Sequence, residues 1–215
     1  MNDIQNNQNP ALELSLTFLR NHFLGRQNPP PLPQYQDDSL LFKSMCEKTN
    51  KAAAVLIPIL EKPSGLQLLL TRRADHLRSH AGQISFPGGS LEGPEETCVE
   101  AALREAQEEI NLSIEQVDVI GQLGDYYTIS GFRVTPVIGL IRSPVSLAPD
   151  PSEVAEIIHV PLNYLMDPKV FQLKEHQYAE FRRRYYSTYY QHHHIWGVTA
   201  GILMGLYQDL LKQQN

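Results

Sequence analysis

The chain has 215 residues, a formal net charge of −6, 42% hydrophobic residues and 20% charged residues. This is a globular composition, not that of a disordered or fibrous chain, and a chain of this size buries roughly 70% of its unfolded surface. The acidic balance argues against bulk electrostatic binding of nucleic acid. It does not argue against a small anionic substrate, because a bound divalent cation reverses the field locally.

Two cysteines, Cys46 and Cys98, can build neither a disulfide framework nor a cysteine-rich zinc site. The opening residues lack the positive region and apolar run of a secretory signal. The longest apolar run, Ala52 to Leu60, is interrupted by Pro58 and falls short of the ~18 residues that suggest a membrane span. The expectation is a cytoplasmic protein with no membrane partner.

In chain order, residues 1–10 are polar and rich in Asn and Gln. Leu12, Leu16, Leu19 and Phe23 then recur at helical spacing, which predicts a peripheral helix over 10–24. The Pro-rich stretch 28–33 reads as a stiff connector. Ala52–Leu60 reads as a buried strand, Lys62–Gly65 as a turn and Leu66–Thr71 as the returning strand of a hairpin. A short strand follows at Gln83–Phe86, then a helix over 95–110 with Pro94 in its first turn. Val117–Leu123 and Phe132–Ile141 read as strands, and Glu153–Val160 mixes strand and loop signals. Trp196–Leu211 reads as a helix packed along one side through Val198, Ile202, Leu203, Leu206 and Leu210. The order of elements points to an α/β (α+β) fold with a mixed sheet between helices.

The helix over 95–110 carries the chemistry. At about 100° per residue, Val99, Ala102, Leu103, Ala106 and Ile110 share an apolar arc, and Glu105, Glu108 and Glu109 are placed on the opposite one. Like charges at this spacing cost roughly 0.2–0.5 kcal/mol per pair. A hard divalent cation offsets that cost, since carboxylate oxygens are its preferred ligands. The glycine turn at Phe86–Gly89 precedes the helix and allows close backbone approach to a metal or phosphate. Arg104 lies beside the acidic face and can orient a carboxylate.

Gly89, Glu96, Arg104-Glu105, Glu108-Glu109 and Leu112 together resemble the signature of the Nudix hydrolases. Six residues separate Gly89 from Glu96, one more than the usual interval, while the seven between Glu96 and Arg104 are standard. Glu95 would restore the first interval and spoil the second. Asn111 replaces the family's late glycine, and Asn is the residue best able to take that left-handed position. A second stretch, through Leu69, Leu70, Thr71, Arg73, Ala74, Arg78, Gly82, Phe86, Pro87, Gly88 and Gly89, is similar to the motif of the coenzyme A pyrophosphatase branch. The resemblance continues through Ser130–Pro136, Glu153–Ile157 and Ile195–Ala200 and spans about residues 50–205. It leaves residues 1–45 as an N-terminal segment preceding a Nudix hydrolase domain over 46–215.

The resemblance implies a Nudix-type α/β/α sandwich. It implies hydrolysis of coenzyme A or its derivatives to 3′-phosphoadenosine 5′-phosphate and 4′-phosphopantetheine. Glu105 and Glu109, with Glu108 directly or through water, are the expected ligands of Mg²⁺ or Mn²⁺. Glu108 or Glu153 is the expected base, and Arg104 orients the acidic face. Arg73, Arg78, Gly88 and Gly89 are the expected substrate contacts, since arginine forks match phosphate oxygens. Another nucleoside diphosphate derivative such as ADP-ribose, or a nucleotide-sensing module without turnover, are the alternatives. Monomer and homodimer both stay open.

Some conspicuous residues are read as structural. His192-His193-His194 has no carboxylate pattern nearby in sequence, so it is read as a loop before the last helix rather than a metal site. Arg182–Arg184 with the neighbouring tyrosines reads as an exposed polar hairpin. Trp196 is expected to cap the core, and Cys98 to pack.

Overall fold

The computed structural model describes residues 14–26, 51–177 and 182–212, with positions 12, 29, 32, 43, 44 and 47–49. Residues 1–11, most of the Pro-rich stretch and Cys46 lie outside the described residues.

The main sheet is built on β1 (Lys51–Lys62). It runs parallel to β7 (Phe132–Ile141) over ten paired positions, Lys51 opposite Phe132 through Leu60 opposite Ile141. On its other side β1 pairs first with β4 (Gly88–Ser90) through Ala53–Val55, then with β2 (Gly65–Arg73) through Ile59–Lys62. Pro58 sits between those two pairings. There the missing N–H leaves no ladder bond broken, which is how a proline survives inside a central strand. β3 (Ile84–Ser85) and β8 (Val154–Pro161) pair antiparallel with β2. β5 (Val117–Gln122) and β6 (Tyr126–Tyr127) pair antiparallel with β7. A second, antiparallel sheet takes β9 (Gln172–Gln177), β10 (Arg182–Tyr190) and β11 (His193–Trp196) in the order β11-β10-β9. The stretch expected as an exposed hairpin before the last helix is therefore part of this second sheet.

Helices cover both faces of the main sheet. One face carries the acidic helix (Cys98–Ile110), whose Ala101, Ala102, Ala106 and Ile110 are fully buried with Ala54, Leu56, Leu69 and Val137. The other face carries the C-terminal helix (Gly197–Leu211) and an N-terminal helix (Leu16–Phe23). This is the expected mixed sheet between helices.

Two expectations change here. The N-terminal helix is not peripheral: Leu19 and Phe23 are 0% and 1% exposed and belong to the same core as the C-terminal helix. Correspondingly, the C-terminal helix is buried nearly all round rather than along one side, with Gly201 against Tyr126 and Gly205 against Leu32, where a Cβ would lie 2.6 and 2.7 Å from those rings and methyls. No helix among the described residues is long and apolar enough to cross a membrane.

The two terminal helices are joined by a buried polar link. His22 Nε2 lies 2.8 Å from Asp209 Oδ2, and the Arg26 Nη2 donates to Asp209 Oδ1 at 3.0 Å. Burial raises the Asp209 pKa, but the Arg26 and His22 hydrogen bonds outweigh it and hold the carboxyl below its ordinary value. A depressed folded pKa means that this contribution is present above the unfolded value, about 3.9, and is lost as the pH falls further. Asp209→Asn is expected to cost about 1–3 kcal/mol in urea unfolding at pH 7, because it weakens the charge-assisted hydrogen bond from Arg26 and the one to the buried His22 ring. That loss should shrink on acidification below about pH 4.

Candidate active site

The acidic helix begins three residues later than its periodicity predicts. Thr97 is the N-cap: its side chain accepts from the Glu100 N–H, and the Glu100 carboxylate accepts from the Thr97 N–H at 2.8 Å. This capping box starts the helix at Cys98 and leaves Pro94, Glu95 and Glu96 outside it. At the other end Asn111 adopts φ 55°, ψ 34°, the left-handed cap expected of it, and its N–H bonds back to Gln107 and Ala106.

The alanine face lets the helix approach β1 and β4 closely, and two glycines complete the contact. A Cβ on Gly88 would lie 2.4 Å from the Ala54 carbonyl oxygen, at φ +154°. A Cβ on Gly89 would lie 2.2 Å from Glu105 Oε1. The Glu105 carboxylate therefore occupies the space a side chain at 89 would fill. Glu109 is only 4% exposed and its Oε2 has no hydrogen-bond partner.

Glu109 is thus not on the arc opposite the apolar residues. Seven residues at about 100° each bring it to within roughly 20° of Ala102, on the edge of the buried face. Burial first, then the charge of Glu105, push the Glu109 pKa up to about 8, against the pull of Arg73. Burial also raises Glu105, against its hydrogen bond from Arg104. Glu108, by contrast, has a 59% exposed side chain and meets Arg104 Nη1 at 3.2 Å.

Arg104 organises this cluster. Its Nε donates to Glu96 Oε1 at 2.8 Å, its Nη1 to Glu105 Oε1 at 3.0 Å, and its Nη2 to the Ser90 carbonyl at 3.1 Å. Glu96 also accepts from the Glu92 N–H at 2.6 Å. The glutamate aligned with the signature thus anchors the arginine, and the arginine aims Glu105. Glu92, 3.9 Å from Arg104, and the Ser90 carbonyl are part of the arrangement and carry no sequence signal of their own.

Glu153 reaches the same cluster from the far side of the sequence. Its charge raises both Glu105 and Glu109. The turn-forming residues before it place it: Asp150 N–H donates to the Glu109 carbonyl at 2.9 Å, and Glu153 N–H to the Asp150 carbonyl at 3.0 Å. The Asp150 carboxylate accepts from Ser152 N–H at 2.8 Å and stiffens the loop. Asp150 escapes a search for acidic catalysts, and its signal is the turn sequence Pro149-Asp150-Pro151-Ser152.

Arg73 lies at the end of β2, where a bulge between Arg72 and Arg73 interrupts the pairing with β8. Its Nε is buried without a hydrogen-bond partner, and its charge acts on Glu109. Arg78 is exposed on the following loop, which closes where Gly82 N–H meets the Arg73 carbonyl at 3.2 Å. Arg72 pairs instead with Asp75 at 2.7 Å.

The structure revises two other readings and keeps a third. His193 and His194 are in a strand, not a loop, and Glu156 of β8 supplies a carboxylate 3.6 Å from His193. Trp196 does not cap the core; it is 39% exposed and meets Tyr185 edge-on with ring centroids 5.8 Å apart. Cys98 packs as expected, its Sγ donating to Thr135 Oγ1 at 3.4 Å.

The donor set fits a hard divalent cation. The charges of Glu105 and Glu153 raise Glu109, that of Glu153 also raises Glu105, and the Glu109 Oε2 is buried without a hydrogen-bond partner. In metal-free protein a raised folded pKa makes stability fall as the pH rises from about 4.5 to about 8. Glu109→Gln removes that loss. With EDTA present, its melting temperature should match the parent near pH 4.5 and exceed it by roughly 5 °C or more above pH 8. Equal melting temperatures at both ends would show that Glu109 is not held as a buried charge.

Residues 50–187 match the NUDIX domain family. A protein of Photorhabdus laumondii subsp. laumondii named Uncharacterized Nudix hydrolase NudL is 40% identical over 202 residues, which span 92% of this chain and 98% of that one. A protein of the same name from Yersinia pestis (strain Pestoides F) is 38% identical over 179 residues, 83% of this chain and 89% of that one. Among solved structures, the Nudix hydrolase RenU of M. smegmatis is 28% identical with a TM-score of 0.46, covering 54% of this chain and 73% of that one. With the family match spanning more than half its length and carrying the helix that gathers Glu105 and Glu109 under Gly88 and Gly89, the chain belongs to the Nudix hydrolase family.

Proposed function

We propose that this Nudix hydrolase cleaves the diphosphate of coenzyme A or a derivative, yielding 3′-phosphoadenosine 5′-phosphate and 4′-phosphopantetheine. The observation that carries the reading is Arg73, whose buried Nε has no partner and whose charge acts on Glu109. It stands in the stretch Leu69–Gly89, the one similar to the coenzyme A pyrophosphatase motif. A guanidinium whose buried Nε lacks a partner, next to a cluster of acids, is suited to phosphate oxygens that arrive with their own negative charge.

In this reading Glu105 and Glu109 hold Mg²⁺ or Mn²⁺, with Glu108 assisting through water. The cation supplies charge neutralisation at the diphosphate and lowers the pKa of the attacking water. Arg104 keeps Glu105 aimed, through hydrogen bonds that also tie it to Glu96 and the Ser90 carbonyl. Gly88 and Gly89 admit the Ala54 backbone and the Glu105 carboxylate where a Cβ would otherwise stand, and their own backbone is the expected contact for phosphate oxygens. Arg73 and Arg78 bind phosphate oxygens. Glu153 accepts the proton of the water as its oxygen forms the new P–O bond and the bridging P–O bond breaks. Glu153 is preferred over Glu108 as this base, because its charge acts on both Glu105 and Glu109, whereas that of Glu108 acts on Glu105 and is engaged by Arg104. Glu108 remains the second reading.

Mass analysis of products from coenzyme A, its oxidised and acylated forms, ADP-ribose and a nucleoside triphosphate, each with Mg²⁺ and Mn²⁺, tests the substrate. Coenzyme A or a derivative is expected to have the highest kcat/KM, and a higher value for ADP-ribose overturns the assignment. Absence of turnover on the whole panel would favour a sensing module. Glu109→Gln is expected to lower kcat by about two orders of magnitude or more, in the range that removal of a main electrostatic element costs. Glu153→Gln should lower kcat and flatten the acidic limb of the pH profile, and Glu108→Gln should leave that limb in place. Arg73→Ala should act chiefly through KM.

A further inference from the structure

A second group of metal-ligating side chains lies on the opposite face of the main sheet from the acidic helix. Glu156, His192 and His193 each offer a ligand atom, all within 4.8 Å of one another. His193 Nε2 is 3.6 Å from Glu156 Oε1, and the His192 and His193 rings lie 3.9 Å apart between centroids.

The topology explains how the three meet. Along β8 the side chain of Glu156 shares a face with Ile158 and Val160, which belong to the core under the C-terminal helix. Gln191 takes a left-handed φ of 54° in the tight turn between β10 and β11, where Tyr190 pairs with His193. That turn brings His192 round to the side of His193. Strand alternation sends His194 the other way, to a hydrogen bond with Ser187 Oγ at 2.8 Å and a stack on Tyr189. Two of the three adjacent imidazoles thus converge on one carboxylate, and the third does not. Arg72 holds the other oxygen, Glu156 Oε2, at 3.7 Å and leaves Oε1 facing the histidines.

We propose that Glu156, His192 and His193 form a transition-metal site, selective for Zn²⁺ over Mg²⁺, that fastens the β10–β11 hairpin to the edge strand β8. Two imidazoles and one carboxylate are a zinc donor set with a fourth position left for water. Imidazole nitrogen selects Zn²⁺ against the hard cations that all-oxygen sites take. The His193 side chain is 4% exposed, so packing holds its ring against Glu156. The charge of Arg72 opposes a cation here and limits the affinity. The ion joins two sheets that otherwise share few direct pairings, since β11 reaches the main sheet beside β3.

Calorimetric titration of the full chain with Zn²⁺ in millimolar Mg²⁺ tests the site. His192 is exposed and Glu156 half-exposed, so His192→Ala and Glu156→Gln should fold, which circular dichroism checks. One tight Zn²⁺ equivalent is expected, weakened at least about tenfold in both variants, since even outer-shell losses cost that much. The same equivalent should persist in Glu109→Gln, and Zn²⁺ should raise the melting temperature of the parent but not of His192→Ala. Absence of a tight equivalent overturns the site, as does its survival in either His192→Ala or Glu156→Gln. Loss in Glu109→Gln alone assigns the ion to the acidic helix and likewise overturns it.

Discussion

The close approach of an alanine-faced helix to a glycine pair is the constraint on which the site depends. Ala101, Ala102 and Ala106 let the acidic helix settle on β1 and β4, and Gly88 and Gly89 remove the side chains that would hold it off. The depth of that contact decides the chemistry. It buries Glu109, fills the space above Gly89 with the Glu105 carboxylate, and raises the pKa of both. A larger residue at any of these positions would lift the helix and return its glutamates to ordinary solvated behaviour.

Around this contact the remaining charges divide the labour by exposure. Arg104 is spent on orientation, held by Glu96 and the Ser90 carbonyl while it aims Glu105. Arg73 is buried at Nε without a partner and stands as positive charge beside Glu109. Glu153 arrives on a loop pinned by Asp150 to the backbone of Glu109 itself, so that the loop and the helix move as one. The sheet supports both, because β2 carries Arg73 at its end and pairs with β8, which follows Glu153 directly. The opposite face is held by a different device, the buried link of Asp209 to His22 and Arg26.

Local signals were read well where local physics rules. β7 matches its predicted bounds, and the β1–β2 hairpin follows from a proline- and glycine-containing turn between apolar runs. Asn111 takes the left-handed cap for the reason its side chain allows. The helix start was missed because Pro94 and the glutamates after it look like a first turn, whereas the Thr97–Glu100 capping box competes for the same backbone donors and wins. The angular count puts Glu109 within roughly 20° of Ala102, so grouping it with Glu105 and Glu108 on the opposite arc followed its charge and not its angle. How deeply that edge is buried depends on β4, which no count about one helix contains.

By itself the sequence determined the family, the acidic helix, the glycine turn before it and the identity of the residues able to hold a cation or a phosphate. These follow from spacing along one chain. Only the tertiary structure decided which carboxylates are buried, that Glu153 joins Glu105 and Glu109, that Glu108 turns outward, and that Glu156 faces two histidines across the sheet edge. The reason is physical: burial and electrostatic coupling are set by distance between segments remote in the chain, and no local pattern carries that distance.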